Sequence, residues 1–447
     1  AALFGPALEG FDPAAPRIAA QGAVGAWRAL DDLARGAAAP DAARGELPAK
    51  LMLTSGSTGA PKAVVMTHAN LAVNAAQIAA CFDDPEPPVT VNAAPWSHSL
   101  GANALLHMVT HRGGTLYVDP GQPTPARFAA TLQALSEVGS TYHNMVPAGW
   151  ALLADALEAD PALARTFFAR LRVMQYGGAG LPQSVLDRVQ AAGVRACGER
   201  VTFAAGYGIT ETAPTATNVH WFNRRAGLLG LPVPGTEVRL APVGDRLELR
   251  LKGPQIAPGY RTADGSLRPL DLDEDGWLRT GDAVRLADAG DDPRRGGLVF
   301  DGRLVENFKL ATGAFVGAGP LRLAVLSALG GLASDAVVCG EGQAGVGLLL
   351  FANAGACAAF SGAAADGPHA CEALATQVRA RLAAFNAEAR GAGGRIARAL
   401  VLAGGPDAAS GEVTDKGYLN QALARSRRAA DIARLFASAP DPLVVVL

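Results

Sequence analysis

The sequence predicts an α/β protein: a large N-terminal domain of layered sheets and helices, shortened at its start, followed by a small mobile α+β domain. Three observations predict it. Short apolar runs that lead into helical segments occur at 63–80 and again, through the glycine turn at 177–180, at 172–193. The run Arg246-Leu-Glu-Leu-Arg-Leu-Lys252 alternates strictly, with Leu247, Leu249 and Leu251 on one face, as in an antiparallel strand with one wet side. The chain has 447 residues, 49% hydrophobic and 18% charged, enough for more than one core.

Taken in order, residues 1–49 are rich in Ala, Pro and Gly, with a short helical patch near Trp27 to Ala34. Lys50 to Leu53 is a short apolar run. Ala63 to Met66 forms a strand, and Thr67 caps a helix running to about Ala80. Arg172 to Tyr176 is a strand that breaks at Gly177-Gly178-Ala179-Gly180; Pro182 opens the next helix and Gly193 closes it. Strands ending in glycine turns place ligand-binding atoms at the strand ends. After about residue 230 the pattern turns antiparallel. A Pro/Gly/Asp-rich stretch, 288–297, precedes the strand Leu298-Val299-Phe300. The remainder is a small α+β unit, with strands near 335–351 and 396–403 and helices near 370–390 and 418–438. The domain boundary falls at Arg303, dividing 1–302 from 303–447.

Composition excludes several classes. With 39 basic and 41 acidic side chains the net charge is −2, which gives a nucleic-acid backbone no basic excess to bind. The long uncharged stretch Gly342 to Ala365 is broken by polar residues and glycines and reads as strand–turn–strand, not as a membrane span. The opening carries Glu9 and Asp12 where a secretory leader needs a basic region. The five cysteines (Cys81, Cys197, Cys339, Cys357, Cys371) are odd in number and form no C-x-x-C. A disulfide framework and a zinc site are therefore not expected, and a reducing cytoplasm is. The basic cluster Arg425–Arg428 is expected to be a solvated face.

The most informative segment is Thr54-Ser55-Gly56-Ser57-Thr58-Gly59-Ala60-Pro61-Lys62. Four hydroxyl side chains and two glycines make a loop whose donors can wrap a polyphosphate, with Lys62 as a point charge. The glycine spacing does not fit a Walker A loop. Four further segments follow: PWSHSLG at 95–101, YGGAGLP at 176–182, GYGITET at 206–212, and RTGD at 279–282 with DGR at 301–303.

These five motifs, in this order, resemble the adenylate-forming superfamily of acyl-CoA synthetases, peptide-synthetase adenylation domains and luciferases. DGRLVENFKLATGAFV and GEVTDKGYLNQ look most similar to feruloyl-CoA synthetases. The resemblance implies a two-step reaction. A carboxylate attacks the α-phosphate of ATP to give acyl-AMP and pyrophosphate; the thiol of coenzyme A then attacks the acyl carbon and AMP leaves. It also implies the roles. Thr54, Ser55, Gly56, Ser57, Thr58, Gly59 and Lys62 hold the terminal phosphates. Gly178, Ala179 and Gly180 line the adenine, and Tyr207 stacks near it. Thr210 touches the α-phosphate and Glu211 holds Mg²⁺. Asp282 takes the ribose hydroxyls, with Arg303 beside it. His98 sits by the acyl carboxylate. Trp96, Tyr142, His143, Met145, Val146 and Pro147 are candidates for the acyl pocket. The implied partners are an aromatic, hydroxycinnamate-like acid, ATP and coenzyme A, without nucleic acid or membrane and with a homodimer left open. Transfer of acyl-AMP to another acceptor, or nucleotide binding without catalysis, are the alternatives.

Three features depart from the family pattern. Only 53 residues precede the phosphate loop, where the family has well over a hundred, so an exposed apolar surface is expected where further strands would pack. The hinge position, usually Asp or Lys, is Val305. The C-terminal catalytic lysine register holds Tyr418, so Lys416, two residues earlier, is the candidate, with Lys309 near the thioester-forming face.

Overall fold

The computed structural model describes residues 44–55, 61–82, 84–92, 94–124, 126–288, 296–353, 368–389, 391–402, 404–407, 410–413, 419–439, 441 and 443–447. It also gives two paired strand pieces, β1 (Ile18–Ala19) and β2 (Arg28–Ala29). Arg28–Ala29 is thus extended where a helical patch was expected; the rest of that patch lies outside the described residues.

Strands β3 (Pro48–Ser55) and β4 (Pro61–Thr67) form an antiparallel hairpin. Helix α1 (His68–Ala80) follows as expected, with Thr67 and Asn70 exchanging capping hydrogen bonds. One face of α1 is amide rather than aliphatic. Asn70 Nδ2 donates to Pro254 O and Ile256 O, Asn74 Nδ2 to Thr215 O, and Gln77 Nε2 to Pro234 O, at 2.7–3.0 Å. Spacings of four and three residues align these amides on one stripe, so the helix is tied to three separate loops.

The parallel half of the molecule comprises β5 (Val89–Asn92), β6 (Thr115–Val118), β7 (Tyr142–Met145), β8 (Val173–Gly177) and β9 (Thr202–Tyr207). β5 pairs with β6, while β7, β8 and β9 pair in that order. A π-helical turn, Leu100–Leu105, runs into α2 (Leu106–His111). Helices α3 (Phe128–Glu137), α4 (Pro147–Ala159), α5 (Pro161–Phe168) and α6 (Gln183–Cys197) supply most of the main core around Trp150, Phe167 and Phe203. Helix α6 runs one turn past Gly193. It ends at Gly198, whose φ of +84° makes the left-handed cap. Gly193 lies inside the helix because the Phe168 ring occupies the space beside it.

The sheet then continues antiparallel. β10 (Thr217–Val219), β11 (Leu228–Pro232), β12 (Glu237–Val243), β13 (Arg246–Lys252), β16 (Leu278–Leu286) and β17 (Leu298–Arg303) complete a nine-stranded sheet ordered β12-β13-β16-β17-β11-β10-β9-β8-β7. Two short strands, β14 (Tyr260–Arg261) and β15 (Leu267–Arg268), extend the β3–β4 hairpin. The polar face of β13 is not simply wet. Glu248 is buried and pairs with Arg250, which also bonds Asp273.

After Arg303 come β18 (Phe308–Lys309), β19 (Phe315–Val316) and a helix the pattern had not shown, α7 (Ala318–Leu329). A four-stranded sheet of β20 (Ala333–Cys339), β21 (Val346–Ala352), β22 (Ile396–Leu402) and β23 (Val444–Val446) carries its own cores. Helix α8 (Pro368–Glu388) matches expectation; the second expected helix is split at Arg428 into α9 (Gln421–Arg427) and α10 (Ala429–Phe436). The basic cluster there is not a solvated face throughout. Arg428 makes two hydrogen bonds to the buried Glu412, and Arg425 lies over the Phe308 ring and donates to Glu306 O. Of the Gly342–Ala365 stretch, Val346–Ala352 is strand; 354–365 lie outside the described residues. Exposed apolar side chains do stand on β6 (Tyr117, Val118) and at β3 (Leu47, Leu51). Among the described residues no helix is long and apolar enough to cross a membrane.

Candidate functional site

The hydroxyl-rich segment is the turn between β3 and β4. Thr54 faces Lys62 across the ladder, and Ser55 faces Pro61. Gly56, Ser57, Thr58, Gly59 and the Ser55 side chain lie outside the described residues, so the loop is located by its two anchors. Lys62 Nζ sits 5.3 Å from the centre of the Tyr260 ring on the adjoining strand β14. The Tyr260 hydroxyl donates to Glu211 Oε1 at 2.7 Å. Burial, and then the Glu211 charge, raise the Tyr260 pKa, so the phenol stays a neutral donor. The β3–β4 turn is thereby tied to Glu211 through one aromatic ring.

A second cluster lies at the end of β9. The Tyr207 hydroxyl donates to Asp282 Oδ2 at 2.8 Å. Asp282 is 4% exposed and stands opposite Arg303 in the β16–β17 register, with Arg303 Nε 3.5 Å from Oδ1. Burial, then the Asp282 charge, raise the Tyr207 pKa well above that of a free phenol. Thr210 and Glu211 open the 3-10 turn Thr210–Thr212, only three residues after Tyr207. The stretch 207–211 therefore links both clusters, and Lys62, Tyr207, Thr210, Glu211, Asp282 and Arg303 converge from four sequence-distant segments.

Beside that stretch opens a cavity with roughly 670 Å³ of empty space, part of it open to solvent. Its end nearest that stretch is lined by His98, Gly178 and Gly206 to Gly208. Gly178 has φ +83°, a conformation a side chain resists, and so turns the chain sharply after β8. Ala179 is half-buried; Gly180 is packed by Leu323 of α7, and Gln183 N donates to Ser327 Oγ at 3.0 Å. The far end is lined by Ile78, Ala104, Tyr142, Asn144, Val146 and Gln175.

The remaining expected residues divide. Tyr142 and Val146 line the cavity, but His143 and Met145 point into the main core. His143 stacks edge-on between Trp150 and Phe167, with centroids 5.4 Å from each, and burial pushes its pKa down to about 3. Trp96 is 41% exposed. Lys309 is exposed on β18. Lys416 lies outside the described residues. Val305 falls in the 3-10 turn Leu304–Glu306. Sequence reasoning missed Asn144, Gln175 and Tyr260; strict alternation along 142–146 was the signal that could have found Asn144.

For a divalent cation, Glu211 is a single carboxylate with Oε1 already accepting from Tyr260. Among the described residues no group of three or more His, Cys, Asp or Glu gathers to hold a metal. One free carboxylate oxygen suits a cation such as Mg²⁺, which keeps its waters and takes its other ligands from phosphates.

A family model described as AMP-binding enzyme matches residues 10–261, more than half of the chain. A feruloyl-CoA synthase of Amycolatopsis is 28% identical over 249 residues, covering 53% of this chain and 46% of that protein. A long-chain-fatty-acid–CoA ligase of Salmonella typhimurium is 30% identical over 257 residues, covering 54% and 42%. The chain thus spans about half the length of the curated relatives it matches. The fold is shared with the anthranilate CoA ligase AuaEII solved with anthranoyl-AMP, at a TM-score of 0.71 and 20% identity, over 96% of this chain and 77% of that one.

Proposed function

The chain belongs to the AMP-binding enzyme family, and from that premise we propose that it is an AMP-forming acid–CoA ligase acting on an aromatic, hydroxycinnamate-like acid. The observation that carries the reading is the convergence on residues 207–211, where a ribose-sized pair of acceptors at Asp282, a carboxylate at Glu211 and the phosphate-loop lysine meet one turn.

In this reading ATP lies along that turn. Asp282 accepts from the ribose hydroxyls, and Arg303 holds the carboxylate in place. Gly178, Ala179 and Gly180 leave a flat backbone surface for the adenine. Thr210 donates at the α-phosphate, while residues 54–59 and Lys62 hold the leaving pyrophosphate. A magnesium ion at Glu211 would offset phosphate charge. The acid's oxygen attacks the α-phosphorus, the bond to pyrophosphate breaks, and the acyl-AMP anhydride results. The thiolate of coenzyme A then attacks the acyl carbon, and AMP leaves as the anhydride bond breaks. The residues do not react covalently; they position groups and stabilise charge. His98 borders the cavity where the acid's carboxylate would meet the nucleotide. Residues 303–447 are proposed as the moving small domain, presenting Lys416 for adenylation and Lys309 for thioester formation, in a reducing, cytoplasmic setting.

The relatives' names pull in two directions, since one activates ferulate and another long-chain fatty acids. The aromatic side is favoured by the amide-bearing far end of the cavity, which an alkyl chain would leave unpaired. The test is ATP-dependent release of AMP with formation of an acyl-CoA over a panel of aromatic and fatty acids. AMP and thioester from an aromatic acid are expected; neither product from any acid overturns the reading.

A further inference from the structure

Alternation along β7 sends Tyr142, Asn144 and Val146 into the cavity. Asn144 is 3% exposed, and its Oδ1 accepts no hydrogen bond. Its Nδ2 donates to the Tyr142 oxygen at 3.3 Å; the Tyr142 hydroxyl donates to Gln175 Oε1; Gln175 Nε2 donates to Asn218 Oδ1 at 3.3 Å. All three bonds run in one direction and leave Asn144 Oδ1 as an unmatched acceptor at the cavity wall. A buried amide oxygen left unmatched is costly, so such an atom marks where a ligand's donor belongs.

The lining is mixed. Gly177 and Gly206 pair across β8 and β9, with the Gln175 side chain lying over Gly206. Ile78, Leu100 and Ala104 supply apolar surface, which suits the carbon frame of an acid whose polar edge meets Asn144.

Resting on the ligase reading above, we propose that Asn144 is a specificity-determining residue, whose Oδ1 accepts a hydrogen bond from a hydroxyl on the distal edge of a planar acid. The preferred substrates are then ring-hydroxylated aromatic acids, and an ether oxygen at that position, which accepts only, is rejected.

The experiment uses the full chain and three acids: ferulate, its deoxy analogue 3-methoxycinnamate, and its methyl ether 3,4-dimethoxycinnamate. The readout is kcat/KM from AMP release and thioester formation. Wild type should favour ferulate over both analogues by tenfold or more. Asn144→Leu should bring the ferulate to 3-methoxycinnamate ratio near one by lowering ferulate turnover while retaining the deoxy acid, which also shows that the variant folds. A wild-type ratio near one overturns the proposal, as does a preference that survives Asn144→Leu. Should the Leu variant turn over neither acid, Asn144→Ser and the wild-type ratio decide. Wild-type turnover of fatty acids alone overturns this proposal and leaves the ligase reading standing, whereas no product from any acid removes the ligase reading itself.

Discussion

Replacing Asp282 by alanine separates two jobs that the carboxylate performs. Asp282 Oδ2 accepts from the buried Tyr207 hydroxyl at 2.8 Å, and Oδ1 lies 3.5 Å from Arg303. In the proposed complex the same oxygens take the ribose hydroxyls. Charged hydrogen bonds are worth about 1.5–3 kcal/mol, so Asp282→Ala should raise the ATP Kd by roughly 10- to 150-fold. It should also strand the Tyr207 hydroxyl, at about 1–3 kcal/mol of folding stability. The Arg303 pair adds little, because the Arg303 side chain is 49% exposed. Asp282→Asn is the control: its amide oxygen still accepts from Tyr207, so most stability returns, while the charge offered to the ribose does not. Calorimetric titration of ATP reads the first effect, and urea unfolding reads the second. An ATP affinity unchanged in Asp282→Ala refutes the ribose role, whatever happens to stability.

Three other outcomes are expected. Lys416→Ala should depress adenylation far more than thioester formation from supplied acyl-AMP; an equal fall in both half-reactions counts against the assignment. His143 is held neutral in the fold down to about pH 3, against 6.5 unfolded, so the unfolded chain binds the extra proton and stability falls as pH drops below about 6.5. Between pH 7 and 5 that loss is about 2 kcal/mol, and His143→Leu should remove it; identical pH slopes in urea unfolding contradict the argument. Glu412→Ala should cost about 1.5–3 kcal/mol by leaving Arg428 without its two carboxylate bonds, with an unchanged unfolding midpoint as the contrary result.

What the sequence showed, it showed through local periodicity. The β4–α1 and β8–α6 units, with their cap and glycine turns, follow from spacing alone, and the five motifs mark the segments that meet. What it hid depends on distance or on the third dimension. Tyr207 and Asp282 meet only because antiparallel strands return to β9. Gly193 looks like a helix stop until Phe168 is seen beside it. Glu248 looks solvated until Arg250 and the Gly281 amide close over it. Asn144 was legible in principle, because a period of two separates it from His143 and Met145, but the expected pocket residues Tyr142, His143, Met145, Val146 and Pro147 do not follow that alternation.

The amide stripe on α1 bears on any attempt to exchange parts with a relative. A helix seated by aliphatic packing can shift by a fraction of a turn and settle again, whereas Asn70, Asn74 and Gln77 are matched to particular carbonyls, two for Asn70 and one each for the others. A transplanted hairpin and helix would therefore need its matching stretches around 215, 234 and 254–256 carried with it, or three unmatched amides would sit against a foreign backbone. For swapping, the smallest portable piece is discontinuous in sequence though contiguous in space.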